Sequence, residues 1–211
     1  MTDHPGVTII DHPILRARLT TLRDKRTTPE VFAEQLREIS ALILFEMTRT
    51  ISTDPIEVET PLRVASGAKL ARPLVLVPIL RAGLAMVDGM ARILPGVSIG
   101  HIGMYRNEET LEPQQYYFKF PPCLQKADVL LVDPMLATGN SAISAVSLLK
   151  KQGATSIRYA CVISCPEGIR AFTAAHPDIP VFTSAVDEKL NERGYIVPGL
   201  GDAGDRYFGT A

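Results

Sequence analysis

The chain reads as an α/β fold, a mostly parallel twisted sheet flanked by helices, with an N-terminal arm and a C-terminal flap. Three observations predict it. Apolar runs of strand length, residues 74–80 and 127–131 among them, lack the polar alternation of half-exposed strands and so suit strands covered on both faces. From residue 74 onward these runs alternate with segments of helical spacing. The connections between them have the length of a crossover helix, which calls for right-handed links between parallel strands.

The elements follow in order. Residues 1–28 read as an arm with a short apolar patch at 7–10. Thr28 is a helix N-cap and Pro29 a first helical position. Phe32, Leu36, Ile39 and Ile43 then recur at helical spacing, a stripe that core packing explains. Residues 74–80 form a strand, 82–94 a helix and 97–103 a second strand. Residues 104–122 are polar, aromatic and proline-containing, and read as a flexible loop long enough to be functional. A third strand covers 127–133, followed by a helix over 140–152 with Gly153 as its stop. Residues 156–164 form a fourth strand, Pro166–Ala175 a helix opening on proline, and 179–186 a fifth strand. The tail, 190–211, is too apolar and turn-dense for a frayed end and reads as a folded flap. In sheets of this type ligands collect at the carboxyl ends of the strands, which gathers the loops after residues 80, 103, 133 and 186.

Bulk properties exclude several classes. The 211 residues suit one domain. The net charge of -1 offers no basic field for nucleic acid. Cys123, Cys161 and Cys165 form no CxxC pair and have no histidine cluster beside them, so buried thiols are expected rather than zinc. No run reaches the roughly 18 apolar residues of a membrane span. No basic start followed by an apolar run is visible, so a cytoplasmic protein is expected. The four histidines are scattered, with no nucleophile setting beside them.

The stretch VDPMLATGNS at 132–141 is the most informative. A buried strand gives way to an acid, Asp133, then to a turn of small and hydroxylic residues and a helix N-terminus. The N–H groups and positive dipole end of that helix attract a phosphate. Gly139 lets the backbone approach closely, and Thr138 and Ser141 offer hydroxyl donors. Arg81 follows the 74–80 strand, with Gly83 beside it, and its planar fork suits a pyrophosphate. Alone it is equally a surface arginine paired with an acid; beside the 133–141 loop the ligand reading prevails. Arg106 and Lys119 bracket the long loop and could close over a polyphosphate, whereas Glu108, Glu109 and Glu112 suit a merely solvated segment. Of the two cations Arg106, nearer a strand end, is the better candidate. Gly201, Asp202, Ala203, Gly204 and Asp205 form a tight turn whose exposed main chain could read a flat heterocycle, with Tyr195, Ile196 and Pro198 as an apolar wall. Composition alone favours a structural Asx-turn there.

Four blocks resemble the uracil phosphoribosyltransferases, a branch of the type I phosphoribosyltransferases: VPILRAGLAM at 77–86, HIGMYRNEET at 101–110, VDPMLATGNSA at 132–142 and GYIVPGLGDAGDRYFGT at 194–210. The arm DHPILRARLTTLRDKRT at 11–27 is also similar. Many type I members carry two adjacent acids at the start of the phosphate loop; here the second position is Pro134, as in the uracil branch. The resemblance implies transfer of a phosphoribosyl group from 5-phospho-α-D-ribose 1-diphosphate (PRPP) to N1 of uracil, giving UMP and diphosphate. It implies that Asp133, Pro134, Met135, Leu136, Ala137, Thr138, Gly139, Asn140 and Ser141 cradle the ribose and 5-phosphate. Arg81 and Arg106 would hold the diphosphate. Ile196, Gly201, Asp202 and Ala203 would grip uracil, with Asp202 also facing the donor. Asp133, Arg106 and Asp202 are the implied catalytic residues, and Mg2+, bound mainly through PRPP, the implied cofactor. A homodimer or homotetramer is implied too, and activation by GTP occurs among relatives. Two rivals are weaker. A phosphatase of the haloacid dehalogenase class would place a second acid where Met135 stands. A regulatory RNA-binding protein of the same fold would show a basic face and could lose the 194–210 block.

Overall fold

The computed structural model describes residues 5–106 and 113–210. The chain starts with strand β1 (Val7–Ile9) and helix α1 (Pro13–Arg23), which His12 caps by accepting from the Ile14 N–H at 3.3 Å. The expected arm is therefore no loose extension. β1 pairs with a distant strand at the sheet edge, and Leu15, Leu19 and Leu22 of α1 are buried. Helix α2 (Pro29–Met47) starts where Thr28 and Pro29 place it and buries Phe32, Leu36, Ile39 and Ile43. An antiparallel hairpin, β2 (Thr53–Glu59) and β3 (Val64–Leu70), then projects with nearly all of its side chains exposed.

Strand β4 (Leu74–Leu80) is buried along almost its whole length and leads into helix α3 (Leu84–Ala91). The next expected strand is divided into β5 (Ser98–Ile99) and β6 (His101–Arg106). The reading of 104–122 as a loop needs correction: Met104–Arg106 continue β6, and β7 (Pro113–Lys119) runs antiparallel to it, so the described part is a β-hairpin. Its alternation was hard to see because Gln114 to Lys119 are all exposed. Glu108, Glu109 and Glu112 lie outside the described residues. Lys119 pairs with His101 and Arg106 with Pro113, so the two cations stand at opposite ends of the hairpin. Lys119 therefore does not join Arg106.

Strand β8 (Asp128–Val132), the short β9 (Met135–Leu136) and helix α4 (Asn140–Lys151) follow. Then come β10 (Ser156–Ala160), β11 (Ile163–Ser164), helix α5 (Pro166–Ala175), β12 (Val181–Thr183) and β13 (Ala185–Val186). The hairpin β14 (Lys189–Leu190) and β15 (Ile196–Val197) and the short helix α6 (Ala203–Phe208) form the tail.

The main sheet has the order β1-β12-β10-β8-β4-β6-β7, with β5 also beside β4. Every pairing in it is parallel except β6–β7. Side chains alternate across the sheet as the pleat requires. Leu76, Leu130, Val132 and Ala160 pack toward α1, α2 and α3; Val75, Val77, Val129, Leu131 and Tyr159 pack with residues of α4 and α5. The long strands expected over 156–164 and 179–186 are both broken at one level, where β9, β11 and β13 form a second small parallel sheet. Pro134 has no N–H to extend the first ladder. Its carbonyl instead accepts from the Val162 and Ile163 N–H groups, at 2.9 and 3.1 Å, and restarts pairing one step away. None of the described helices is long and apolar enough to cross a membrane.

Candidate active site

The parallel arrangement puts the ends of β4, β6 and β8 along one edge, so Arg81, Arg106 and Asp133 emerge there together. Arg106 is placed by its backbone only, at the end of β6. Asp133 directly follows the wholly buried β8, and its amide donates to the Ala160 carbonyl at 3.1 Å.

Beyond Asp133 the chain forms a small cavity of about 80 Å³. It is lined by Asp133, Met135, Leu136, Ala137, Thr138, Gly139, Ser141 and Ala142. Gly139 sits at the N-cap of α4 with φ +85°, a left-handed conformation that favours glycine. No side chain caps this helix, so its first-turn amides and dipole end are presented to the cavity. Leu136 is buried in the core and offers the cavity main chain rather than side chain, while Asn140 is exposed.

The second half of the site comes from the tail. Arg23 of α1 grips Asp187 by two bonds, at 2.5 and 2.7 Å, and also donates to the Gly199 carbonyl at 2.7 Å. Arg206 donates to the carbonyls of Leu22, Leu200 and Asp24 at 2.5 to 2.7 Å and lies over the Phe32 ring at 4.5 Å. These two arginines fasten the flap to α1 and α2. Asp202 caps α6 by accepting from the Asp205 N–H at 2.9 Å. Ala203 and Gly204 are buried, whereas Gly201 and Asp202 stay exposed at the turn. The turn is thus the Asx-type cap that composition favours, and its rim remains open. Ile196 is buried in the core, so its side chain is no free wall; Tyr195 is exposed.

The electrostatics join the two halves. Burial, and then the negative Asp202 carboxylate, push the Asp133 carboxyl from 3.8 up to about 8. Arg81 meets Asp205 of α6 at 3.4 Å and lies over the Phe208 ring at 5.8 Å. Both partners are substantially exposed, so the pair holds the guanidinium loosely at the mouth. Cys161 and Cys165 are buried and unbridged, and burial raises the Cys161 thiol to about 12. The arrangement therefore has an anion-accepting helix start, a carboxyl beside it, a second carboxylate near enough to be felt by it and an exposed cation at the rim. Such a set suits a phosphorylated sugar whose anomeric carbon faces the turn of the tail. Arg23, Asp187 and Arg206, which the sequence reading does not single out, act between distant segments, and their partners carry no local signal.

Comparison with known proteins agrees with this geometry. The family model for uracil phosphoribosyltransferase matches residues 9–210. The uracil phosphoribosyltransferase of Dictyoglomus turgidum is 56% identical over 205 residues, covering 97% of this chain and 99% of that one. That of Halalkalibacterium halodurans is 51% identical, covering 97% and 98%. The solved structure of the AQ2163 protein from Aquifex aeolicus superposes with a TM-score of 0.92 at 33% identity, covering 97% of this chain and 99% of that one. The adenine phosphoribosyl transferase of Trypanosoma brucei, at 13% identity and a TM-score of 0.56 over 88% and 86% of the two chains, shares the fold.

Proposed function

The chain belongs to the uracil phosphoribosyltransferase family, and we propose how its own residues serve that pentosyl transfer. The observation that carries the reading is the cavity between Asp133, at the end of β8, and the start of α4, where no side chain caps the helix and Thr138, Gly139 and Ser141 line the space. The donor, PRPP, lies with its 5-phosphate at the start of α4, held by Thr138 to Ser141, and its ribose over Asp133. Arg81 and Arg106 take the diphosphate. Uracil sits under the flap against the main chain of Ile196 and Gly201 to Ala203, where mismatched polar edges would be left unpaired.

In the transfer, the bond from the anomeric carbon to diphosphate breaks and its electron pair leaves with the diphosphate. N1 of uracil supplies the pair for the new bond, and its proton passes to the departing diphosphate or to solvent. The cation-like sugar between these steps gains most from fixed charge and positioning. Asp133 and Asp202 place carboxyl oxygens on either side of it. Arg81, released from Asp205, turns its donors onto the leaving group.

Among the described residues no three His, Cys, Asp or Glu side chains converge on one point. As the family resemblance implies, Mg2+ would be held chiefly by oxygens of PRPP, with Asp133 and Asp202 as the hard oxygen donors within the site. Bound there, it offsets the charge of the diphosphate.

The molecule is a homo-oligomer in this reading. The projecting β2–β3 hairpin exposes Val58, Leu62 and Val64, with Leu62 95% exposed, an apolar surface suited to a second copy. The test of function is UMP release from uracil and PRPP, run beside RNA binding at two salt concentrations. UMP formation that fails in Arg81→Ala supports the assignment; salt-sensitive RNA binding without UMP formation overturns it.

A further inference from the structure

Glu167 opens the first turn of α5, where an acid suits the positive helix end. Its carboxylate does more than that. Oε1 accepts from the Leu190 N–H at 3.3 Å. That N–H leaves β14 toward α5, while the flanking Glu188 and Asn191 amides bond across to the Val197 and Tyr195 carbonyls. Oε2 is enclosed and has no partner among the described residues. The nearby backbone amides of Glu167 itself and of Leu190 hold the carboxyl below the usual glutamate value.

Both neighbours of Glu167 matter. On one side, Leu190 pairs with Ile196, the first residue assigned to the base. On the other, Gly168 presses its backbone onto the donor loop. A Cβ at Gly168 would lie well inside van der Waals distance of the carbonyl oxygens of both Leu136 and Ala137. Cys165 is held on the same loop, its sulfur 3.2 Å from the Ala137 carbonyl. A continuous path thus runs from Ile196 through Leu190, Glu167 and Gly168 to residues 136–137.

We infer that Glu167 is a positioning residue that fixes the uracil flap relative to the phosphoribosyl loop. The inference rests on the functional reading above. Glu167 touches neither substrate; it sets the gap across which they meet. A helix-capping acid alone would affect stability and leave substrate use unchanged.

The decisive variant is Glu167→Asp. It keeps the negative charge in the first turn of α5 and so keeps the fold, but withdraws the carboxylate from Leu190 by one methylene. Its KM for uracil should rise about tenfold, the scale of a lost bond to a charged group, while its KM for PRPP stays within about twofold. Glu167→Gln, which retains an acceptor at full length, should restore the uracil KM to near the wild-type value. Wild-type KM values in Glu167→Asp overturn the inference, and so does a fall in melting temperature with no change in KM. Equal increases in both KM values also overturn it. A wild-type protein that forms no UMP counts instead against the functional assignment.

Discussion

Arg23 in the first helix and Asp187 just before the C-terminal hairpin hold each other by paired bonds and together enclose Gly199. The guanidinium donates to the Gly199 carbonyl at 2.7 Å and the carboxylate accepts from its amide at 2.9 Å. Asp187 is only 8% exposed. Removing one partner leaves the other charged and poorly solvated. Arg23→Ala should cost about 3 kcal/mol in urea unfolding, because it strands the nearly buried Asp187, and Asp187→Ala less, because the Arg23 it leaves behind reaches more solvent. The double variant should lose less than the sum of the two. Additive losses would mean that the arm and the flap are fastened independently of this pair.

The contrast between this clamp and the phosphate loop shows what a sequence carries. The loop over 132–141 was legible because a buried strand, an acid, a glycine turn and a helix start are contiguous. Pro166–Ala175 and Leu74–Leu80 were legible to the residue, the first through its opening proline and the second through an unbroken apolar run. The β2–β3 hairpin left no comparable mark, since it is exposed on both faces and no core selects its pattern. The break between β10 and β11 falls where the Val162 and Ile163 amides turn to the Pro134 carbonyl, between β8 and β9 and far away in the chain. Arg23 with Asp187 and Glu167 with Leu190 join positions far apart in the chain, which no local spacing announces.

Asp202 serves two roles that a single substitution should separate. As the cap of α6 it is worth about 1 kcal/mol of stability. In the function proposed above it also belongs to the base-binding turn and would govern uracil use. Asp202→Ala should lower stability by about that amount while raising the KM for uracil by about tenfold or more. Asp202→Asn keeps an acceptor for the Asp205 N–H and should restore stability better than uracil use. If both variants lose stability alone, the turn is structural.

The raised Asp133 carboxyl makes folding stability pH-dependent. Its value rises from 3.8 in the unfolded chain to about 8 in the fold. Between those values the folded protein keeps a proton that the unfolded chain has released. Its contribution is therefore complete below about pH 4 and is lost as pH climbs to about 8. Asp133→Asn has no proton to lose. The ligand-free wild type should lose melting temperature between about pH 5 and about pH 8 more steeply than Asp133→Asn. Parallel curves would show that Asp133 is ionised throughout.

In the proposed function the same carboxyl would also govern turnover. Asp133→Asn preserves shape and the neutral form's hydrogen-bonding capacity but removes the negative form that would face a cation-like sugar. At saturating uracil and PRPP it should lower kcat about 10²-fold, the scale of one well-placed polar contact. Because asparagine resembles the protonated acid, the deficit should depend on pH. In kcat/KM, which reports the free protein, the two should approach each other well below about pH 8, where Asp133 is mainly neutral, and above it the wild type should pull ahead. A deficit constant from about pH 6 to about pH 9 would show that bound PRPP and Mg2+ already hold Asp133 ionised. Unchanged turnover at every pH would remove Asp133 from the reaction centre.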